Sequence, residues 1–504
     1  MLVSTAAAGL LLAGPVPARV AVPVAVTLLV LARGLAGGRR LAHHVLLAGA
    51  VCWLVAGAAV HRPVRIAEGA AAAGVLLAMT RWYPVRPHPR RLRASVPIGL
   101  SGLGVAALHG GWLAVGPAPS AGAALRGALG GALGGAPGAL AVGCVIAALA
   151  VALGPAPPPP PGDEVERARV SAFVAHPAAD SLAPFATRAD RTYAFSPDGR
   201  AAVGYRVLFG VALAGGDPVG APDARGAAVG GFVATCARHG WRPAVLGAGD
   251  AAVPVWRAHG VRHGVVVGDE AVLDVGAFSL ASRRMRNVRQ AVQRTRNAGL
   301  TVHIGQLDDR LAADLAPVLR DWLDGHGERG FAMILDNLLV PRPDCLVAVA
   351  YDRHRVAQAF ARFAWCAAGT VLTLDVAPRR SGAPNGVVER LIVDMLAYGR
   401  GRGVRELSLN FAGLRGLYAA RGGPARLLLG PAHLLDRWID LGPLYRFTAK
   451  FQPRWRPRRV LMRSWWEVGW VAAAALRAEF GGGRRAPDPD VEPARAPATA
   501  EGTA

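Results

Sequence analysis

Three polar residues between positions 370 and 411 have the types and the spacing that acid–base chemistry requires. Asp375 lies at the end of one predicted strand, Glu389 in the first turn of a predicted helix, and Asn410 at the end of the next strand. Because strand ends and a helix N-terminus meet at one edge of an α/β sheet, we expect the three groups to converge on a cleft. For Asp375, flanked by apolar strand residues, a site role is favoured. For Glu389, compensation of the helix dipole is an equally good explanation.

Lys450 is a further candidate because it is the only lysine among 57 basic side chains, the rest of which are arginine. A compact ammonium makes a point contact with a phosphate or a developing oxyanion, whereas a guanidinium offers a planar fork. The alternative explanation is the chance survival of one lysine codon. Lys450 belongs to a cationic stretch, residues 445–459, that also contains Arg446, Arg454, Arg456, Arg458, Arg459, Tyr445, Phe447, Phe451 and Trp455. Aromatic side chains among cations suit stacking on nucleotides or a membrane interface.

A second cationic stretch covers residues 282–299. Met285, Val288, Val292 and Thr295 recur there at helical spacing and are predicted to face the core. The other faces carry six arginines and no acid, namely Arg283, Arg284, Arg286, Arg289, Arg294 and Arg296. Such cations repel one another unless phosphates lie nearby, so the pattern favours an RNA or lipid-phosphate surface over an ordinary solvated helix face.

The elements that must position these residues follow an α/β pattern from about residue 170 to residue 463. Strands are predicted at 201–208, 264–267, 345–350, 356–363, 370–376 and 406–411, and helices at 226–239, 283–298, 309–325 and 386–400. Asn385 is predicted to cap the last helix, with a buried face of Val387, Val388, Leu391, Ile392, Met395 and Leu396. This much mixed structure predicts two α/β units of similar size.

The first 155 residues are almost wholly apolar and predict a transmembrane domain of about five helices. The segments lie near residues 16–32, 43–60, 66–82, 95–116 and 134–154, each close to the ~20 residues that cross a bilayer. Several apolar runs in succession, with no basic region before the first, do not fit a cleaved signal peptide. Arginine is concentrated in the first and third gaps, so those gaps and everything after residue 155 are expected on the cytoplasmic side.

Two other stretches separate or end the predicted domains. Residues 156–169 are predicted to form a proline-rich linker whose first part is stiff. Residues 464–504 are predicted to contain an apolar helix and then, from Gly481, a disordered tail. Trp465, Trp466 and Trp470 precede that helix, which is predicted either to lie in the membrane interface or to pack on the α/β region.

Composition limits the partners. The formal net charge of +23 calls for a polyanionic partner, either nucleic acid or an anionic membrane surface. A GC-rich genome explains the preference for arginine over lysine but not the size of the charge. The cysteines lack CxxC spacing, which argues against a disulfide framework or a zinc site and fits a reducing compartment; they are Cys52, Cys144, Cys236, Cys345 and Cys366.

Together these segments resemble a known family. The strand–loop–helix–strand order with Arg379, Arg380 and Gly382 is similar to the heart of an N-acetyltransferase (GNAT) fold. More closely, residues 170–460 resemble the C-terminal region of the phosphatidylglycerol lysyltransferases, the multiple peptide resistance factor family, in its actinobacterial branch. The matching pieces are HPAADSLAPF (176–185), SPDGRAAVGYRV (196–207), GDPVG (216–220), GDEAVLDVGAFSL (268–280), MRNVRQAVQR (285–294), ERGFAM (328–333), LTLDV (372–376), APNGVVE (383–389), LSLNFA (407–412) and YRFTAKFQPRW (445–455).

The resemblance implies two fused GNAT-like domains, at residues 170–300 and 301–463, that use no metal or other cofactor. It implies transfer of an amino acid, usually lysine, from aminoacyl-tRNA to the glycerol hydroxyl of phosphatidylglycerol. The product lowers the negative charge of the membrane and confers resistance to cationic peptides. The partners would be aminoacyl-tRNA, phosphatidylglycerol and the cell membrane, with the catalytic domain cytoplasmic.

The resemblance also implies roles for individual residues. Asp375 and Glu389 would relay a proton or hold the ammonium of the amino acid, Asn410 would support the carbonyl or amine, and Lys450 would meet a phosphate. The implied substrate-binding residues are Glu328, Arg379, Asn385, Arg446 and Arg454, and the implied tRNA-binding residues are Arg286, Arg289 and Arg294.

The sequence departs from the family in three places. Pro378 stands where the family usually has a charge, and five membrane segments are fewer than full-length relatives have, which argues against lipid flipping. No lysyl-tRNA synthetase region follows, so charged tRNA is expected to come from elsewhere. One alternative is an acyl-CoA-dependent GNAT enzyme on a membrane anchor, although Pro384 removes an amide from the loop that would bind pyrophosphate. The other is a non-enzymatic lipid-binding or transport protein, which would lack an organised polar cleft.

Overall fold

A computed structural model describes residues 18–59, 61, 63–80, 85–113, 135–325, 335, 337–413 and 441–480. The candidate Glu328 lies outside the described residues. The chain divides into two compact units. The first comprises Met1–Pro160 with Tyr205–Ala212 and Ala227–Ala244, and the second comprises Pro161–Gly204, Leu213–Gly226 and Val245–Ala504.

Apolar helices form most of the first unit. They are α1 (Ala18–Ala36), α2 (Arg40–Ala59), α3 (Pro63–Ala78), α4 (Pro89–Leu113) and α5 (Gly135–Ala152). Glycine allows close packing between neighbours, since a Cβ on Gly69 would lie 2.7 Å from the backbone of Leu54 and one on Gly102 would lie 2.7 Å from the Cβ of Cys144. The predicted helices are therefore present. Among those described, none combines the length and the apolarity that crossing a membrane requires, and the predicted crossings are not confirmed.

The second unit begins with a well-capped helix. The Asp163 carboxylate accepts from the Glu166 amide at 2.8 Å, and the Glu166 carboxylate accepts from the Asp163 amide at 3.2 Å. This reciprocal capping starts α6 (Glu164–Val174). The next elements are β1 (Thr192–Phe195), β2 (Ala201–Leu208), β3 (Val211–Gly215), β4 (Val219–Gly220), α7 (Pro222–His239), β5 (Arg242–Gly249) and α8 (Val253–Ala258). The boundary between the units passes through β2, β3, α7 and β5.

A run of seven neighbouring strands lies wholly in the second unit, in the order β12-β6-β11-β10-β9-β8-β7. Their bounds are β6 (His263–Asp274), β7 (Thr301–Gly305), β8 (Cys345–Tyr351), β9 (Ala357–Cys366), β10 (Val371–Val376), β11 (Glu406–Gly413) and β12 (Arg454–Met462). The pair β10–β11 is parallel and every other neighbouring pair in this run is antiparallel. The accompanying helices are α9 (Arg286–Asn297), α10 (Asp309–Gly325), α11 (Val387–Arg400), α12 (Leu441–Ala449) and α13 (Val468–Phe480).

Most predicted elements are confirmed, but β12 was predicted wrongly as part of an open cationic stretch. Residues 454–462 pair along β6, from Arg454 opposite Val272 to Met462 opposite His263. The alternation of arginine with Trp455, Pro457 and Val460 therefore belongs to a strand. Pairing with a partner almost 190 residues away decided this, and local sequence carries little of that information.

The main core lies where α9 and α11 pack on β6 and on the strands β8 to β11. The predicted buried face of α9 is confirmed, since Met285, Val288, Val292 and Thr295 are all buried. So is that of α11, with Val388 half-buried and the other five residues buried. This core joins residues on both sides of the predicted boundary between residues 300 and 301.

The predicted N-cap of α11 is wrong by one residue. Gly386 occupies the N-cap position with φ of 103°, and Asn385 lies exposed before it. A Cβ on Gly386 would lie 2.8 Å from the Ala291 carbonyl oxygen of α9. Glycine is required there both for its left-handed backbone and for the close approach of the two helices.

Candidate functional site

The parallel pair β10–β11 opens at the point where the candidate residues lie. Its backbone register runs from Val371 opposite Glu406 to Thr373 opposite Ser408, although both strands continue further. Beyond that point the Asn410 side-chain amide donates to the Leu374 carbonyl oxygen at 3.1 Å. Asn410 has φ of 68°, and the register between β11 and β6 shifts there. Its side chain thus bridges two strands whose backbone pairing has ended.

Asp375 is held inside the protein by two strong contacts. One carboxylate oxygen accepts from Arg362 Nε at 2.6 Å, and the other accepts from the Leu335 amide at 2.6 Å. Both side chains of the ion pair are almost completely buried. Burial raises the pKa of Asp375, against the opposing effect of the Arg362 guanidinium. Both carboxylate oxygens are thus committed to internal contacts, and the predicted role of Asp375 in proton relay or ammonium binding stays a prediction.

The Arg362 guanidinium extends the same contacts to the segment before β8. It donates to the carbonyl oxygens of Leu335 at 3.3 Å, Asn337 at 3.0 Å and Leu338 at 3.1 Å. Asp375 and Arg362 together hold this segment against β9 and β10. The ion pair thus fixes the position of this segment.

Glu389 and Lys450 meet, which local spacing alone could not establish. Lys450 Nζ donates to Glu389 Oε1 at 3.0 Å, and the same Nζ lies 5.2 Å from the centre of the Phe447 ring. Glu389 is buried in the first turn of α11, whereas the Lys450 side chain is 42% exposed. Lys450 directly follows α12, which packs on β11. The two groups form a carboxylate–ammonium pair with one buried partner and one that solvent or a ligand can reach.

The two polar centres remain separate. Within the described residues, no hydrogen bond or ion pair joins Asp375–Arg362 to Glu389–Lys450. Asn410 is closer to the first centre, since Leu374 directly precedes Asp375. The predicted convergence of the three groups is therefore seen only in part.

The implied substrate-binding residues are dispersed. Arg379 and Asn385 are exposed in the loop before α11, and Arg446 is exposed on α12. Arg454 instead bonds to the Glu406 carboxylate at 2.6 Å, together with Arg456. The three side chains meet because β12 and β11 flank β6. The Arg454 side chain is still 60% exposed, and its predicted substrate contact stays a prediction.

The helix α9 presents most of its arginines to solvent, as predicted. Arg286 and Arg294 are exposed and form no ion pair within the described residues. Arg289 is different, since its Nη1 donates to the carbonyl oxygens of Leu280, Ala281 and Ser282. The guanidinium holds the loop before the helix, and the predicted tRNA contact of Arg289 stays a prediction.

A buried charge network was missed by the sequence analysis. Arg458, a member of the cationic stretch 445–459, is 1% exposed and bonds to the carboxylates of Glu270 and, at 2.9 Å, Asp180. Asp217 lies 3.9 Å from its Nη1. The hydroxyls of Ser181 and Ser408 each donate to Glu270 at 2.5 Å.

The pKa shifts in this network have opposite signs. Burial and the charge of Asp180 raise the pKa of Asp217 to about 7. Burial also acts to raise the pKa of Asp180, but the Arg458 charge and hydrogen bond hold it below the usual range. A signal for these residues existed in the sequence, since Asp180, Asp217 and Glu270 all fall within the segments 176–185, 216–220 and 268–280 that carried the resemblance.

The loop at residues 379–386 has few amides available for a pyrophosphate. The amide of Arg380 donates to the Gln358 carbonyl at 2.9 Å, and that of Ser381 donates to Asp321 at 2.8 Å. The Ala383 and Val387 amides also donate within the chain. Pro384 has none. This arrangement disfavours the acyl-CoA alternative.

Comparison with solved structures defines the class. The structure of L-PGS from Bacillus licheniformis aligns with a TM-score of 0.54 and 18% identity, covering 63% of this chain and 96% of that one. The C-terminal DUF2156 domain of an Agrobacterium fabrum protein aligns with a TM-score of 0.55 and 22% identity, covering 64% and 98%. The C-terminal region therefore shares the fold of these two domains.

The chain belongs to the family described as phosphatidylglycerol lysyltransferase, C-terminal, whose sequence model matches residues 171–461. The MprF-like domain protein Rv1619 of Mycobacterium tuberculosis is 39% identical over 323 residues, 62% of this chain and 66% of that protein. The lysylphosphatidylglycerol biosynthesis bifunctional protein LysX of Mycobacterium leprae is 39% identical over 289 residues, 55% of this chain and 25% of that protein. The chain thus spans just under two thirds of the first relative and a quarter of the second. The predicted family is confirmed.

Proposed function

We propose that this chain transfers an aminoacyl group, lysyl in the first instance, from aminoacyl-tRNA to the glycerol hydroxyl of phosphatidylglycerol. The product would reduce the negative charge of the membrane and confer resistance to cationic peptides. The observation that carries the proposal is the Glu389–Lys450 pair, which lies within the region matched to the family. The names of the relatives support the lipid acceptor and the lysyl group.

The reaction is an acyl transfer between two oxygens. The lipid hydroxyl attacks the ester carbonyl, a new C–O bond forms, the C–O bond to the tRNA ribose breaks, and the ribose oxygen takes the proton. Glu389 would accept and relay that proton or hold the ammonium of the amino acid. Lys450 would stabilise the oxyanion or contact a phosphate with its exposed ammonium. Asn410 would support the substrate carbonyl from the open end of β10–β11.

The tRNA would bind along α9. Arg286 and Arg294 are exposed there without ion pairs to described residues, so their charge is available to phosphates. Exposed Arg283, Arg284 and Arg296 extend the same cationic face.

We also propose that the chain lies at the cell membrane, where its lipid acceptor would be, with the second unit on the cytoplasmic side. Many apolar side chains of α1 to α5 support this, since Leu29, Trp53, Val64 and Leu100 are exposed on the helices of the first unit. We expect the chain to remain in the membrane fraction after a carbonate wash. Recovery in the soluble fraction would contradict this localisation.

Lipid mass spectrometry of cells with and without the chain tests the proposal. Aminoacylated phosphatidylglycerol should appear only with the chain, and purified protein should form it from charged tRNA and not from acyl-CoA. Absence of any aminoacylated lipid, or product from acyl-CoA, would overturn the proposal.

Two variants test the pair itself. Glu389→Gln and Lys450→Arg should each reduce turnover at least tenfold while leaving the fold intact, because neither keeps a carboxylate–ammonium pair. Asp309→Asn is the matched control, since Asp309 is also an acid in a first helical turn but is exposed and makes no ion pair within the described residues. Full activity of Lys450→Arg would show that the reaction does not require an ammonium at this position, and chance survival of one lysine codon would then explain Lys450. Equal effects of Glu389→Gln and Asp309→Asn on turnover would show that Glu389 only compensates the helix dipole and takes no part in the reaction.

A further inference from the structure

We propose that a tryptophan surface on the second unit docks on an anionic lipid bilayer. It consists of Trp465, Trp466, Val468 and Trp470 with Val265 and Val266. This goes beyond the proposed reaction, because docking can be measured without transfer. It also gives the transferase unit a lipid contact of its own, additional to α1–α5.

Exposure marks these side chains as unusual. Trp466 is 94% exposed and Trp465 51% exposed, and the other four members are exposed as well. Large apolar side chains grouped in this way mark interaction sites, whereas scattered ones are normal on any surface.

Strand pairing brings the start of β6 close to the segment that carries the tryptophans. Val265 and Val266 of β6 lie opposite Val460 and Arg459 of β12, close to where β12 ends. The Trp465 ring, three residues after that end, lies 5.3 Å from the ring of His263 on β6. Strand ends and tryptophans thus share one edge of the unit.

The helix that carries the surface is itself packed. Val471, Ala474 and Ala478 of α13 are buried at helical spacing. The predicted packing role therefore holds for one face of this segment, and the membrane-interface role stays a prediction for the exposed face. Because one face of α13 is buried, the position of the helix is fixed while the tryptophans remain exposed to solvent.

The positive charge beside the tryptophan surface favours an anionic bilayer as its partner. Arg262 and Arg463 are exposed next to the surface, and extending the register from His263–Met462 places them side by side. Neither forms an ion pair within the described residues. The acids nearby are Asp250, which pairs with Arg459, and the half-buried Glu467. Tryptophan flanked by arginine is the combination that binds the interface of an anionic membrane.

The position of the surface has a geometric consequence. The nine residues of β12 span ~26 Å at the usual rise per residue. Lys450 precedes one end of the strand and Trp465 follows the other. The two therefore lie toward opposite ends of β12, so a substitution in the tryptophan surface leaves the Glu389–Lys450 pair in place.

Photocrosslinking of the full chain tests the proposal. The protein with Trp466→p-benzoylphenylalanine is reconstituted in vesicles of phosphatidylcholine with about one third phosphatidylglycerol and irradiated, and adducts are identified by mass spectrometry. The matched control is Val356→p-benzoylphenylalanine, since Val356 is also an exposed apolar residue of the second unit. We expect lipid adducts at position 466 at least several-fold above those at position 356, and fewer in phosphatidylcholine alone.

Two results would overturn the proposal. One is equal lipid labelling at the two positions or equal labelling without anionic lipid. The other is a protein adduct of twice the chain mass, which would make the surface an interface between two copies. Lipid adducts in a preparation that forms no aminoacylated lipid would uphold docking while rejecting the proposed reaction.

Discussion

At the scale of single residues, the structure separates charges that hold the fold from charges that face solvent. Asp375 and Arg458 both looked like candidates for chemistry, yet each is buried in ion pairs. Lys450 keeps an exposed ammonium, although it too has a carboxylate partner. Of these three residues, only Lys450 can exchange its carboxylate contact for a contact with a substrate without unfolding of the surrounding structure.

Removing Asp375 should therefore affect stability first. Asp375→Ala leaves Arg362 buried without its partner, which costs about 3–5 kcal/mol of unfolding free energy. Denaturant unfolding of the purified protein measures this. The matched control is Asp344→Ala in the half-buried pair with Arg342, where the loss should be smaller because water solvates what remains. Unchanged stability with lost turnover would restore a catalytic role for Asp375.

Asp217 should make stability depend on pH. Its pKa is raised from 3.8 to about 7, so the native state holds a proton that the unfolded chain has already released over this range. The resulting stability is fully present below pH 3.8 and is lost as the pH rises through about 7. Asp217→Asn keeps a neutral oxygen for the Gly249 amide and should flatten the curve of melting temperature against pH. The exposed Asp250→Asn variant should leave the wild-type slope unchanged, and an unaltered slope in Asp217→Asn would count against the raised pKa.

At the scale of elements, sequence periodicity predicted the central strands and helices well. The bounds 201–208 and 309–325 match β2 and α10, and α11 differs by one residue. The strands β1, β3, β4, β5 and β7 were not predicted. Two further failures were β12 and the cap of α11. Both depend on distant partners, β6 in one case and Ala291 of α9 in the other.

Gly386→Ala tests that close approach of helices. The left-handed φ alone costs roughly 1–2 kcal/mol for a residue with a Cβ, and the contact with Ala291 adds to it. Gly382→Ala is the matched control in the same loop, because a Cβ there would meet nothing within 4 Å. Melting temperatures should fall clearly for the first variant and little for the second. Equal effects would show that the helix contact is not what requires glycine.

At the scale of the whole molecule, the arginines behind the net charge of +23 fall into two groups, those paired with carboxylates and those exposed to solvent. Several arginines neutralise carboxylates within the second unit, as Arg454 and Arg456 do with Glu406. The face of α9 retains its charge. Electrostatic attraction of a polyanion should therefore depend on that helix more than on the total charge.

Salt dependence of tRNA binding measures this contribution. Arg286→Ala and Arg294→Ala should each weaken binding and reduce the slope of log affinity against log salt by roughly 0.7–0.9 per lost phosphate contact. Arg289→Ala is the control, because its guanidinium binds carbonyl oxygens of the preceding loop and should change the slope less. A slope that is the same in all three variants would place the tRNA elsewhere.

The sequence by itself determined the family, the order of the main α/β elements and the buried faces of α9 and α11. These are carried by local periodicity and by segments that match in order along the chain. Only the tertiary structure decided which charges are available. Lys450 meets Glu389 across 61 positions, and Arg458 meets Glu270 across 188. Ion pairs at such separations depend on strand order and helix packing. Basic residues of a single stretch can therefore be buried in ion pairs that stabilise the fold or exposed where a ligand can bind them.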